Sequence, residues 1–251
     1  MSFISKKLKT LLLIVALISG AIIASGYFYY RELNRAEDPR IIDARKEMSK
    51  YNELMSENEI GLALLVLDQV EEIYASTPGY ANSYELGVAQ NNRGSIYLIK
   101  AETDLINEEN TDTGNLLLAE RYITSAIDIY ASWLERIESM EREEVYDTVL
   151  PFFHEDDPAF ANRDVNKIIN KRVDDIMASK VETKRRLSVS HTNLGIIRRY
   201  EGNLEEAMEQ YEKAVELWSD NHVAKDNINQ LLGLPLEKRN MIKQMFFKDK
   251  R

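Results

Sequence analysis

Cysteine is absent from the 251 residues. That excludes disulfides, thiolate metal sites, a cysteine nucleophile and the acylated cysteine that anchors a bacterial lipoprotein. It fits any cellular compartment. Ten glycines and five prolines are too few for a β-sandwich or barrel, which needs a turn every ~8–12 residues. Plentiful Ala, Leu, Glu, Lys, Arg and Ile suit long helices instead. Only three histidines occur, and none has a partner at metal-ligand spacing. His191 reads as a packing or surface residue, His222 lies at the end of a segment, and His154 with Glu155, Asp156 and Asp157 reads as a solvated acidic turn. There is no Gly-rich phosphate loop, dinucleotide fingerprint, His-Glu-x-x-His or serine elbow. No cofactor, metal site, small-molecule substrate or enzymatic activity is therefore expected.

The first thirty residues lack acidic side chains altogether and carry three cations, Lys6, Lys7 and Lys9. With those set aside, residues 31–251 hold 29 basic and 42 acidic groups, a formal charge of −13. Such a surface repels nucleic acid. From 8 to 30 the sole charge is Lys9, and residues 11–24 are almost wholly apolar. A helix of about 20 residues crosses a bilayer core. Tyr27, Phe28, Tyr29 and Tyr30 follow where an interfacial aromatic belt would sit, and a mixed cluster of Arg31, Glu32, Arg35, Glu37 and Asp38 comes next. The reading is a cytoplasmic basic end (1–7), a transmembrane anchor (8–30) and a linker (31–40), with the rest on the extracytoplasmic side by the positive-inside rule. The competing reading is a signal peptide cleaved near Ala24-Ser25-Gly26.

Self-similarity is clearest over 188–219. Leu194-Gly195, the turn Gly202-Asn203, and Ala207, Tyr211 and Ala214 form one set, with Ser219 closing it. Ala119, Ile123, Ala126 and Ile129-Tyr130 share the spacing of Ala207, Tyr211, Ala214 and Leu217-Trp218; so do Ala63, Leu67, Val70 and Ile73-Tyr74. Asn92-Arg93-Gly94 parallels Asn193-Leu194-Gly195, whereas in the earliest copy Tyr51 takes the glycine's place. This pattern resembles the tetratricopeptide repeat, over about half of the region beyond residue 30. The alternative is a set of generic amphipathic helices.

The resemblance implies an all-α, α-solenoid domain over 41–234, with repeat-like units near 47–76, 87–131 and 188–221. The copies are spaced unevenly. An acidic segment, 102–113, reads as a lengthened loop. Residues 115–148 and 163–201 read as long helices forming an antiparallel hairpin over 131–187, turning between Pro151 and Pro158. Residues 223–232 read as a capping helix, closed by Gly233 and Pro235. The tail, 235–251, is basic, with Met245, Phe246 and Phe247 among its cations. It suits an anionic surface or a frayed end equally.

In the family, a partner's segment lies along a groove built from the first helix of each pair. Carried onto this chain, the groove positions are Asn91, Ser95, Leu98 and Ile99, then Thr192, Ile196, Arg199 and Tyr200. Gly94, Ala119, Ala126, Gly195, Ala207, Tyr211 and Ala214 would pack the repeats. The lysine of the family's carboxylate clamp is missing, since Asn91 and Thr192 stand in its place. The expected partners are proteins, in a homo- or hetero-oligomer. The chain is then either an adaptor similar to anchored accessory subunits of secretion, envelope or flagellar machines, or a structural subunit that uses the hairpin and convex face as permanent interfaces. Protease added to the extracytoplasmic side should degrade 31–251, and the intact mass should include residues 1–30. A mature mass beginning near Tyr27 would replace the anchor with a cleaved leader.

Overall fold

The computed structural model describes residues 36–106 and 114–236, and within the N-terminal segment only positions 15, 18–20, 23, 25 and 26. Those N-terminal positions are helical, with Val15, Ile18 and Ile23 exposed. Most of the expected anchor (8–30) lies outside the described residues, as do 107–113 and 237–251 of the basic tail. Among the described residues no helix is long and apolar enough to cross a membrane.

The described chain is all-α, without strands. Its α-helices are α1 (Ile42–Ser56), α2 (Ile60–Ser76), α3 (Tyr84–Ile106), α4 (Gly114–Ile137), α5 (Arg142–Val149), α6 (Val165–Tyr200), α7 (Leu204–Leu217) and α8 (His222–Leu231). Short 3-10 turns stand at Pro39–Ile41, Leu150–Phe152 and Pro158–Phe160.

Local chemistry explains most of the boundaries. Asn58 takes a left-handed conformation (φ 61°) after α1, and the Glu59 amide reaches back 2.9 Å to the Leu54 carbonyl. Gly202 does the same after α6 (φ 82°), with the Asn203 amide 2.8 Å from the Arg198 carbonyl. Asp164 caps α6 by accepting from the Lys167 amide, and Asn221 caps α8 by accepting from the Ala224 amide. At about 1.5 Å per residue, the 36 residues of α6 span roughly 54 Å.

Helices pair as antiparallel neighbours, α1 with α2, α3 with α4, and α6 with α7. The backbones of α3 and α4 come close because Gly94 has no side chain. A Cβ there would stand 2.5 Å from Ile123 Cγ1 and 3.2 Å from the Ala119 carbonyl. In the last pair, a Cβ on Gly195 would stand 2.5 Å from the Tyr211 ring and 3.1 Å from the Ala207 carbonyl. Ala119, Ala126, Ala207, Tyr211 and Ala214 are all fully buried. Between pairs, α3 and α6 run side by side in the same direction. Asn91 meets Ser190, Ser95 meets Asn193, and Glu102 meets Tyr200. Against α4, α6 runs antiparallel, from Arg198–Glu120 at one end to Trp133–Ser179 at the other.

Three sequence expectations are corrected. Residues 115–148 are not one helix: α4 stops at Ile137 and α5 starts at Arg142. Glu141 and Glu144 form a capping box, with the Glu141 amide 2.7 Å from Glu144 Oε2. The break lets Val145 and Val149 fold back into the core with Trp133, Ile137, Ile168 and Ile169. The hairpin of 131–187 therefore has α5 and two 3-10 turns packed into it. The loop expected over 102–113 is helical as far as Ile106. The linker expected over 31–40 is packed at its end, where buried Asp38 receives both the backbone amide and the guanidinium of Arg40. The same guanidinium donates to the Phe152 carbonyl at 2.9 Å and lies over the rings of Phe153 and Phe160.

Replacing Gly94 or Gly195 by Ala should cost about 1–3 kcal/mol of stability, because backbone stands on the far side of the contact. Gly61→Ala meets nothing within 4 Å and should instead stabilise α2, by up to ~1 kcal/mol. Urea unfolding of the three variants separates close packing from simple helix propensity.

Candidate functional site

The eight groove positions fall into two classes. Five of them are used by internal packing and hydrogen bonding. Leu98 is 5% exposed and packs with Ala119, Ile123, Leu194 and Ile197. Thr192 is 3% exposed; its hydroxyl donates to the Ser188 carbonyl and accepts from Asn221 Nδ2 at 2.9 Å. Asn91 Oδ1 accepts from Ser190 Oγ at 2.8 Å, and Ser95 Oγ accepts from Asn193 Nδ2 at 3.2 Å. Ile196 is half-buried between the α3–α4 and α7–α8 clusters. These side chains join α3 to α6, and α6 to α8. Leu98 and Thr192 are buried, so neither is available to a partner.

The other three lie further out. Ile99 and Tyr200 are 43% and 39% exposed. The Tyr200 hydroxyl donates to Glu102 Oε1 at 3.0 Å, and burial first, then the Glu102 carboxylate, raises its pKa. Arg199 reaches across to α8, donating to Asn227 Oδ1 at 2.9 Å and Gln230 Oε1 at 3.1 Å. Ile99, Tyr200 and the outer edge of Arg199 are what remains of the expected groove.

Asn221 is central to this region, and the sequence reading passed over it. It is buried, caps α8, and donates to both Ser188 Oγ (2.8 Å) and Thr192 Oγ1. The legible signal was an Asn immediately before a capping helix. His191 is half-buried, with Nδ1 2.8 Å from Gln210 Oε1 of α7. Among the described residues no three His, Asp or Glu side chains gather as a metal-binding set.

A second concavity, also unforeseen, lies inside the hairpin. It is a cavity of about 260 Å³ between α4, α5, α6 and the turn at residues 78–82. Trp133, Ile137, Val149 and Phe152 form apolar walls, and Arg136 and Arg172 enter from two helices. Arg172 is 2% exposed and pairs with Glu85 of α3, with its guanidinium 4.0 Å over the Tyr80 ring. Burial works against the charge of Arg172, but the Glu85 carboxylate, together with Tyr80 and Tyr84, outweighs it and raises the pKa. Arg136 stacks over Trp133 and donates to the Asn82 carbonyl at 2.7 Å. Its pKa is lowered, by burial and then by the neighbouring charge of Arg172.

No protein-family model matches the chain, and no curated protein matches it. The residues themselves carry the functional argument.

Burial lowers the pKa of His191 from its ordinary 6.5, against the opposing Gln210 hydrogen bond and with help from Lys213. The unfolded chain therefore takes up a proton before the native state does. Stability from this site is complete above the unfolded pKa and is lost as pH falls below it. His191→Gln should flatten the fall in stability between about pH 7 and about pH 5. Chemical denaturation of both forms across that range is the measurement.

Proposed function

We propose that this chain is a membrane-tethered tetratricopeptide-type protein that binds other proteins and catalyses no reaction. The supporting observation is one contact made twice. In α3–α4 and in α6–α7, a glycine on the first helix admits the small-residue face of the second, at Ala119–Ile123 and at Ala207–Tyr211. The two first helices lie alongside one another in the same direction, joined by Asn91, Ser95, Ser190 and Asn193. Stacking helix pairs in this way builds a solenoid, and α8 covers the last pair as a cap through Ala224, Ile228 and Leu231. Solenoids of this kind offer rigid, preformed surfaces, so little of the binding free energy is lost in ordering them.

The tether is residues 8–30, with the N-terminus cytoplasmic and the helical domain on the extracytoplasmic side. Arg40 stacks on Phe153 and Phe160 and donates to the Phe152 carbonyl, which binds the start of the described domain to the hairpin; in this reading the tether leaves the protein there. The opposite end, with Ile99 and Tyr200, then faces away from the bilayer, where a partner has access.

Photo-crosslinking side chains placed in cells at 99 and 200, and at 150 in the hairpin, test the assignment. Adducts from 99 and from 200 to another protein are the expected result, those from 99 lost when Tyr200→Ala is added and those from 200 lost when Ile99→Glu is added, with the protein still helical. Adducts made only from 150, and only to further copies of this chain, would replace the adaptor by a structural subunit of a larger assembly.

A further inference from the structure

The hairpin cavity has more positive charge than its walls can answer. Two guanidiniums line it, and the one carboxylate beside them, Glu85, is paired with Arg172. Arg172 directs its terminal nitrogens to Glu85, at 3.5 Å for Nη2, while its Nε is buried without a hydrogen-bond partner. Arg136, exposed at the cavity's rim, gives one N–H to the Asn82 carbonyl and has no carboxylate partner among the described residues. Several acids of the nearby elements are used elsewhere, and Glu135, Glu143 and Asp147 are exposed. Glu138 is paired with Lys184, Glu144 accepts from the Glu141 amide, and Asp174 and Asp175 are paired with Arg142, Arg45 and Lys171. An unanswered cation beside an apolar wall is costly in proportion to its desolvation, and an anion placed there recovers that cost.

We propose that this cavity binds a small amphipathic carboxylate, one bulky apolar group bearing a single carboxyl. The carboxylate would lie against Arg136, on the side that faces the Arg172 guanidinium. The apolar group would lie against Trp133, Ile137 and Val149, with Phe152 at the mouth. A volume of about 260 Å³ is at the lower end for ligand sites. It suits a single ring or a short branched chain and is too small for a lipid tail or a folded peptide. Phe152 is held at the mouth because Gly79, at φ 85°, lets its ring approach to 3.2 Å from where a Cβ would stand. The carboxylate belongs either to a free acid or to the last residue of a chain, and both share this chemistry. The assignment is independent of the adaptor reading, since it concerns a different face of the protein.

Trp133 lines the cavity and is one of only two tryptophans, so a Trp218→Phe background turns it into the sole fluorescent reporter. The full chain in zwitterionic nanodiscs would be titrated with 4-phenylbutanoate, with its carboxamide, and with a short peptide ending in a free C-terminal Phe. A saturable change in Trp133 emission is expected with one or both carboxylates. The carboxamide should bind at least tenfold more weakly. Arg136→Gln should weaken carboxylate binding at least tenfold without loss of helicity, and Thr148→Phe, at the rim, should block it. Whichever carboxylate binds more tightly identifies the source. Equal binding of the amide, no saturation with either carboxylate, or an unaltered affinity in Arg136→Gln overturns the proposal.

Discussion

The buried ion pair between Arg172 and Glu85 stands where the two halves of the molecule meet. Glu85 belongs to the first turn of α3, and Arg172 to the lower half of α6. The guanidinium covers Tyr80, whose ring neighbours Tyr74 of α2 at 5.9 Å. Tyr84, one residue before Glu85, meets Trp133 of α4 at 5.7 Å. One charged pair thus holds α2, α3, α4 and α6 at a fixed separation. Removing either partner alone would leave a bare charge inside, at a cost of about 3–5 kcal/mol.

That pair also explains how α6 serves two structures at once. Its upper half, from Leu187 onward, is the first helix of the last pair and takes up Tyr211 over Gly195. Its lower half is the wall of the hairpin, packed on Trp133, Val145 and Phe160. Such a helix needs apolar residues on more than one side, which is why Ile168, Ile169, Val173 and Ile176 appear in close succession, with Ser179 and Thr183 buried further along. Ser179 is tolerated inside because Trp133 Nε1 donates to its hydroxyl at 3.1 Å and the hydroxyl in turn donates to the Ile176 carbonyl.

The α3–α6–α8 seam is joined by neutral polar groups. Asn91, Ser95, Ser190 and Asn193 form one cluster, and Ser188, Thr192 and Asn221 the next. Hydrogen bonds between small side chains are directional and fix the register of neighbouring helices more sharply than apolar contact does. They also account for the loss of the expected groove positions: the groups that would have read a partner are already reading one another.

Helices α1, α2, α6, α7 and α8 were legible in the sequence because their signals are local. Apolar spacing and Gly202 after Tyr200 depend on neighbours within one or two turns. The end of α4 was not. Met140, Glu141, Arg142, Glu143 and Glu144 all favour helix, so propensity alone runs on through them. The chain breaks there because Val145 and Val149 gain more from burial against α6 than the uninterrupted helix would retain. Nor could one sequence show that Thr192 faces Asn221 from 29 residues away, or that Arg136 and Arg172 enter the same cavity with one carboxylate between them. The sequence by itself determined the helical class and the close-packed pairs, since those rest on short-range periodicity. The tertiary structure decided which polar groups are free and which are used, because burial and charge balance are set by residues far apart in the chain.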